Sequence, residues 1–177
     1  MSSLLEQIAA FAQEKHLNAQ TLIRWRAWAE EDQRAFLTIA QELQLGENHI
    51  RDFLDWLEEI IVRDGGSARD LLARPEIQQP LGTKLSRNDK LKAVKERLRK
   101  IRYPYLSRLE EDLRAAVKAL DLGGRVRVSF PPALDGDEVI VEITARTVKE
   151  LAESLLHLRQ RLDDGGIQRV FDLLDQV

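Results

Sequence analysis

Asn48 and Arg51 lie one helical turn apart in the stretch IAQELQLGENHIRDFL, residues 39–54. A side-chain amide can bond two edge atoms of adenine, and a guanidinium two of guanine, so this pair could read bases in a major groove. Ala40, Leu43, Leu45, Ile50 and Leu54 recur at the packing intervals of a helix-turn-helix. A small residue stands where the helices approach, a leucine in the turn, and two apolar residues under the second helix. Two features run against base reading. Glu47, Asp52, Asp55, Glu58 and Glu59 outnumber Arg51 on the second helix, and any acid facing the duplex repels phosphate. The turn position often held by glycine is Gln44.

A second set of residues offers different chemistry. The segment from Lys84 to Arg108 holds ten Lys or Arg against two acids, Asp89 and Glu96. On a helix, Lys92, Lys95, Arg99 and Arg102 recur along one side, next to an apolar stripe of Leu91, Val94, Leu98 and Ile101. With Lys84, Arg87 and Lys100 they form a face suited to phosphates of any sequence, with affinity that falls steeply with salt. The net charge of −3 conceals this segregation: residues 1–80 carry −6, residues 81–130 carry +8 and residues 131–177 carry −5. A positive middle between acidic ends can attract nucleic acid, or it can pair with the chain's own acids.

Other chemistries find little support in the 177 residues. Cysteine is absent, which excludes disulfides, thiolate metal sites and a thiol nucleophile. His16, His49 and His157 fall in different expected elements, so no metal site is expected. No phosphate-binding glycine loop or nucleophile motif occurs. Paired carboxylates such as Glu58-Glu59 and Asp163-Asp164 sit on expected helix surfaces or ends. No catalytic residue and no cofactor is expected, and the chain reads as a non-enzyme. No run of 18 apolar residues suggests a membrane span. The N-terminal stretch reads as an amphipathic helix rather than a signal peptide, which makes the cytoplasm the expected location.

Apolar periodicity and capping residues position these groups. Helices are expected over about 4–15, from Asn18 through Trp28, over 32–43 and over 47–62, then a short one capped by Ser67 and Asp70. RPEIQQPLGT, residues 74–83, has two prolines and a glycine and reads as a linker. The basic helix should break near Tyr103 at Pro104, and Ser107 with Glu110 suggests a capping box for the next helix. Two alternating segments, RVRVSF and EVIVEI, predict an antiparallel hairpin around the loop Pro131–Asp137, with Arg125 and Arg127 facing Glu138 and Glu142. Thr147 and Glu150 cap a helix whose Val148, Leu151, Leu155, Leu158 and Leu162 form a heptad-like seam. Gly165-Gly166 ends it before a short tail helix.

The order RYPYLSRLEEDLRAAV, RVRVSF, EVIVEI, TARTVKELAESLLHL resembles the C-terminal region of ParB-family chromosome and plasmid partitioning proteins. That family also places a helix-turn-helix upstream, where IAQELQLGENHIRDFL lies here. The resemblance implies DNA binding, a homodimer built on the helix-strand-strand-helix unit, and a nucleoid-associated location. The family's CTP-binding domain and its arginine-rich motif have no counterpart in these residues, so no nucleotide-gated clamp is implied. The expected class is α+β, mainly α. Residues 1–74 form a helical, helix-turn-helix-like domain, 75–87 a linker, and 88–177 the basic helix and dimer module. The dimer seam is Val148, Leu151, Leu155, Leu158 and Leu162. DNA contacts are assigned to Lys84, Arg87, Lys92, Lys95, Arg99, Lys100 and Arg102, with Asn48 and Arg51 on the second helix of the motif. The alternative is a protein-interaction adaptor whose acidic N-terminal helices dock a basic partner.

Overall fold

The computed structural model describes residues 3–131, 134 and 138–175. Among them lie ten helices and one two-stranded antiparallel sheet, an α+β and mainly α chain. It divides into two compact units, Met1–Arg102 and Tyr103–Val177.

The first unit holds α1 (Leu4–Glu14), α2 (Ala19–Arg26), α3 (Glu30–Glu42), α4 (Glu47–Asp64), α5 (Ala68–Leu72), α6 (Pro75–Leu81) and α7 (Arg87–Arg102). Three of its helix starts, those of α1, α2 and α5, are the ones the capping residues predict. Ser3 and Glu6 close a reciprocal box, Asn18 accepts from the Gln20 amide at 2.8 Å, and Ser67 accepts from that of Asp70 at 3.1 Å. An aromatic chain runs through the core. Phe11 meets Trp25 at 6.1 Å, Trp25 meets Phe36 edge-on at 5.0 Å, Phe36 stacks on Phe53 at 6.2 Å, and Phe53 on Trp56 at 6.3 Å. Helices α1 to α4 are thereby joined through one packed set of rings.

The helix-turn-helix positions are all in the core: Ala40, Leu43, Leu45, Ile50 and Leu54 are each 0% exposed. The turn between α3 and α4 is made without glycine. Gln44 adopts φ +50°, a left-handed conformation that costs a side-chain-bearing residue energy. Local bonds offset that cost: its amide donates to the Gln41 carbonyl at 2.8 Å and accepts from Lys15 at 2.7 Å. The Leu45 N–H then closes on the Ala40 carbonyl at 2.9 Å.

Two sequence expectations are corrected here. The segment expected as a linker, 75–87, contains α6, which starts with Pro75 in its first turn, where proline is tolerated. Ile77, Pro80 and Leu81 are buried, and in so short a helix Pro80 removes only one intrahelical bond. The basic helix α7 belongs to the first unit, because Val94 and Leu98 are buried in its core and Leu91 and Ile101 pack against it.

The second unit holds α8 (Pro104–Ala119), β1 (Val126–Ser129), β2 (Ile140–Ile143), α9 (Val148–Asp163) and α10 (Gly166–Leu174). Pro104 begins α8 rather than merely ending α7, so Ser107 lies inside the helix, buried, and the expected Ser107–Glu110 capping box does not form. The strands pair in the register Val126↔Ile143, Arg127↔Glu142, Val128↔Val141, Ser129↔Ile140. Arg127 thus lies opposite Glu142 as expected. Arg125 precedes the ladder and pairs with Glu150 at 3.6 Å and Glu153 at 3.3 Å on α9 instead of Glu138, because the antiparallel register sets it beside Thr144, at the far end of β2 from Glu138. Most of the expected hairpin loop, Pro131–Asp137, lies outside the described residues. Helix α10 buries Val170 and Leu174 in a core with Leu109, Leu113 and Leu120. Gly165, at φ +79°, makes the corner between α9 and α10.

Ala40 tests the packing around the turn between α3 and α4. Replacing it with leucine inserts three carbons into a fully buried site, and the midpoint of thermal unfolding should fall by an amount equivalent to ~1–3 kcal/mol. An unchanged melting curve would show that the site has room the structure does not contain.

Candidate nucleic-acid interface

Helix α4 is enclosed on three sides. Ile50, Phe53, Leu54, Leu57 and Ile60 face the core. A second side meets α2, where Arg24 binds Glu58 through Nε and one terminal nitrogen (2.9 and 2.6 Å) and reaches Asp55 at 2.6 Å. The Trp28 indole N–H also donates to Glu58, at 3.0 Å. The Glu58 carboxylate bonded to it holds the Arg24 guanidinium above its ordinary pKa, with Asp55 adding to this and burial opposing it. Glu47 caps the start of α2, accepting from the Asn18 N–H at 2.9 Å and the Thr21 hydroxyl at 2.7 Å.

The third side meets α7. Lys95 pairs with Asp52 at 2.9 Å, and Arg102 donates from Nε to Glu59 at 2.8 Å. Both cations also lie near the Trp56 ring, at 5.0 and 6.0 Å from its centroid. Arg63 extends the seam by donating to the carbonyls of Ile101 (2.8 Å) and Arg102. Asp64 holds the Arg63 guanidinium above its ordinary pKa by a side-chain hydrogen bond.

All five acids that set α4 against phosphate therefore have partners within their own unit. The exposed residues of α4 are Asn48, Arg51, Asp55, Glu59, Val62, Arg63 and Asp64, and of these Asp55, Glu59, Arg63 and Asp64 carry ion pairs or hydrogen bonds within the unit. Asn48 and Arg51 make no side-chain hydrogen bond or ion pair among the described residues.

The cations assigned to phosphate divide in the same way. Lys95 and Arg102 hold α7 to α4, and Lys90, outside the assigned set, binds Glu42 at 3.1 Å and the Leu81 carbonyl at 2.6 Å. Arg99 is half-buried, 3.9 Å from Glu96, and Lys100 is half-buried. Arg87 donates to Asn88 at 2.8 Å. Lys84 and Lys92 are exposed and make no such contact among the described residues. Lys95 and Arg102 flank the apolar stripe and in addition pair with acids of α4, which sets the register of α7 against that helix.

The structure brings Lys92, Lys95 and Arg99 together with His49 and Trp56 around one groove. No group of three or more His, Cys, Asp or Glu among the described residues could hold a metal. Sequence reasoning missed the role of Trp56. A signal was present: Asp52 and Glu59 are seven residues apart, as are Lys95 and Arg102, so two acids on one helix match two cations on another.

On α9 only Ser154 is buried. Of the five seam residues, Leu158 packs against its own unit's core. Val148 is 85% exposed, Leu155 50%, Leu162 53% and Leu151 40%, and Leu156 joins them at 62%. No helix among the described residues is long and apolar enough to cross a membrane. No protein-family description, curated protein or solved structure matches the chain.

Lys95→Met keeps the apolar stem against Trp56 and removes the charge. The loss of one partly exposed ion pair and one cation–π contact should lower stability by about 1 kcal/mol, measured by urea unfolding. Lys92→Met should leave the unfolding midpoint within error of wild type.

Proposed function

We propose that the chain is a DNA-binding protein of the chromosome-partitioning type. Its first unit contacts duplex DNA through α4 and α7, and its second unit pairs with another copy. One observation carries the DNA reading: α4 follows a helix-turn-helix pattern whose packing residues are all buried, and its acids are engaged internally while Asn48 and Arg51 stay outward and unpartnered. Arg51 and Asn48 supply base-edge chemistry, and Lys92 and Lys84 supply phosphate contacts from the α7 side. The partitioning type rests on the order of helix, strands and helix in residues 100–160. The corresponding location is the cytoplasm, at the nucleoid.

The adaptor reading needs the acids of α4 available to a basic partner. Glu47, Asp52, Asp55, Glu58 and Glu59 are held by Asn18, Lys95, Arg24 and Arg102, which favours DNA. The homodimer is supported by α9, whose apolar residues are left uncovered, and by a sheet of only two strands, marginal in water without further layers.

Fluorescence anisotropy of random-sequence duplex across a salt series tests the DNA reading. Lys84→Ala and Lys92→Ala should each reduce the slope of log affinity against log salt by about 1 for each phosphate that the native side chain neutralises, whereas Arg51→Ala should flatten preference among sequences. Asn48→Ala should alter preference among sequences more than affinity. A wild-type chain that ignores duplex even at low salt would return the adaptor reading.

Light scattering tests the pairing. The wild type should show twice the chain mass at micromolar concentration, and Leu155→Asp should show the chain mass with helical circular dichroism retained. A wild-type chain of single mass would remove the dimer.

A further inference from the structure

The groove between α4 and α7 combines an apolar wall with a cation at its rim that has no partner among the described residues. It is an open groove of about 480 Å³ lined by His49, Trp56, Asn88, Leu91, Lys92, Lys95, Glu96 and Arg99. Its volume lies within the range of small-molecule sites, roughly 300–1,000 Å³, which are mostly apolar with a few placed polar groups. Leu91 and Trp56 supply flat apolar surface, extended by the aliphatic stems of Lys92 and Lys95. Three cations line it against one acid, Glu96, which stands 3.9 Å from Arg99. Asp52, beside the groove, is already paired with Lys95. Lys92 has no partner among the described residues, and the Nδ1 of His49 is buried without a hydrogen-bond partner.

We propose that this groove is a binding site for a small anion carried on a flat apolar body, such as an aromatic sulfonate, phosphate or carboxylate. The ring lies against Leu91 and the Trp56 edge, and the anionic group meets Lys92, with His49 and Asn88 as hydrogen-bonding neighbours. Apolar wall and cationic rim are complementary to the two halves of one molecule. A bare anion would leave the wall wet, and a neutral ring would leave Lys92 unmatched. Lys92 is shared with the proposed phosphate contact, but the titration that tests the groove contains no DNA, so its outcome does not depend on the DNA reading.

Titration of the full chain with naphthalenesulfonate, followed by nitrogen–proton correlation spectra, tests it. The chain's three tryptophans, Trp25, Trp28 and Trp56, all lie in the first unit, so their indole signals exclude binding to the apolar face of α9. The Trp56 indole signal should move saturably while those of Trp25 and Trp28 stay in place. Sulfate alone and naphthalene methanol alone should each bind at least about tenfold more weakly. Lys92→Met should weaken naphthalenesulfonate by about tenfold, whereas Arg97→Met, an exposed cation outside the groove, should not. The site is refuted if the Trp56 signal does not move, if all three indoles move together, if sulfate binds as well as naphthalenesulfonate, or if the two lysine and arginine variants behave alike.

Discussion

The seam between α4 and α7 fixes how the first unit presents its charged residues. Asp52 meets Lys95 and Glu59 meets Arg102, and in both pairs the partners are 43 residues apart. Two pairs at constant separation mean that the helices run side by side in the same direction, in register over two turns. Trp56 lies between the two pairs and takes both cations toward its ring. A shift of α7 by one turn would set Lys95 against Trp56 and Arg102 beyond Glu59, breaking both pairs together. The apolar stripe of α7 binds it to the core, and the charged pairs select the register.

Magnitudes separate these two roles. Each of the buried residues Ile50, Phe53, Leu54 and Leu57 contributes ~1.5–3 kcal/mol by leaving water, whereas a half-exposed ion pair contributes ~0–1. The charges of α4 therefore add little to the stability of the unit, but they decide what its surface offers a partner. An acid that is bonded by Arg24 or Lys95 is locally neutralised, and its repulsion of a nearby phosphate is correspondingly reduced. The same pairing consumes Lys95 and Arg102. The net charge of a segment is thus a poor guide to its field, and the unpaired residues Asn48, Arg51, Lys84 and Lys92 are the better one.

The helices and the hairpin were legible because their signals are local. The Ser3–Glu6 box, the Asn18 and Ser67 caps and the alternation in RVRVSF need only a few residues to act, and the structure places elements there. The burial of Ala40, Leu43, Leu45, Ile50 and Leu54 was legible for the same reason, even with Gln44 in place of glycine. What was not legible depends on distant partners. Nothing near Pro75 announces that Ile77 will be buried, so two prolines and a glycine read as a linker. Ser107 and Glu110 match a capping box, but Pro104 pre-sets the helix three residues earlier and leaves the hydroxyl inside it. The destination of the basic helix could not be read from its own sequence, because an apolar stripe of 3-4-3 spacing fits any core. Only the matched seven-residue spacing of opposite charges on α4 and α7 pointed to the partner.

The second unit presents the opposite problem, a surplus of apolar surface rather than of charge. Its core is made where α8, α10 and β1 converge, and α9 reaches it chiefly through Leu158, while Ser154 is its buried residue. A helix of 16 residues that buries so little of its apolar side draws little of its stability from tertiary contact. Yet Arg125 binds two of its acids, and Thr147 caps it, so its orientation on the unit is fixed from both the strand and the start of the helix. Val148, Leu151, Leu155 and Leu162 follow a heptad-like spacing suited to a straight seam against another helix. The uncovered residues are thus ordered along one helix with its position already set, the condition under which a second apolar helix can dock at small entropic cost.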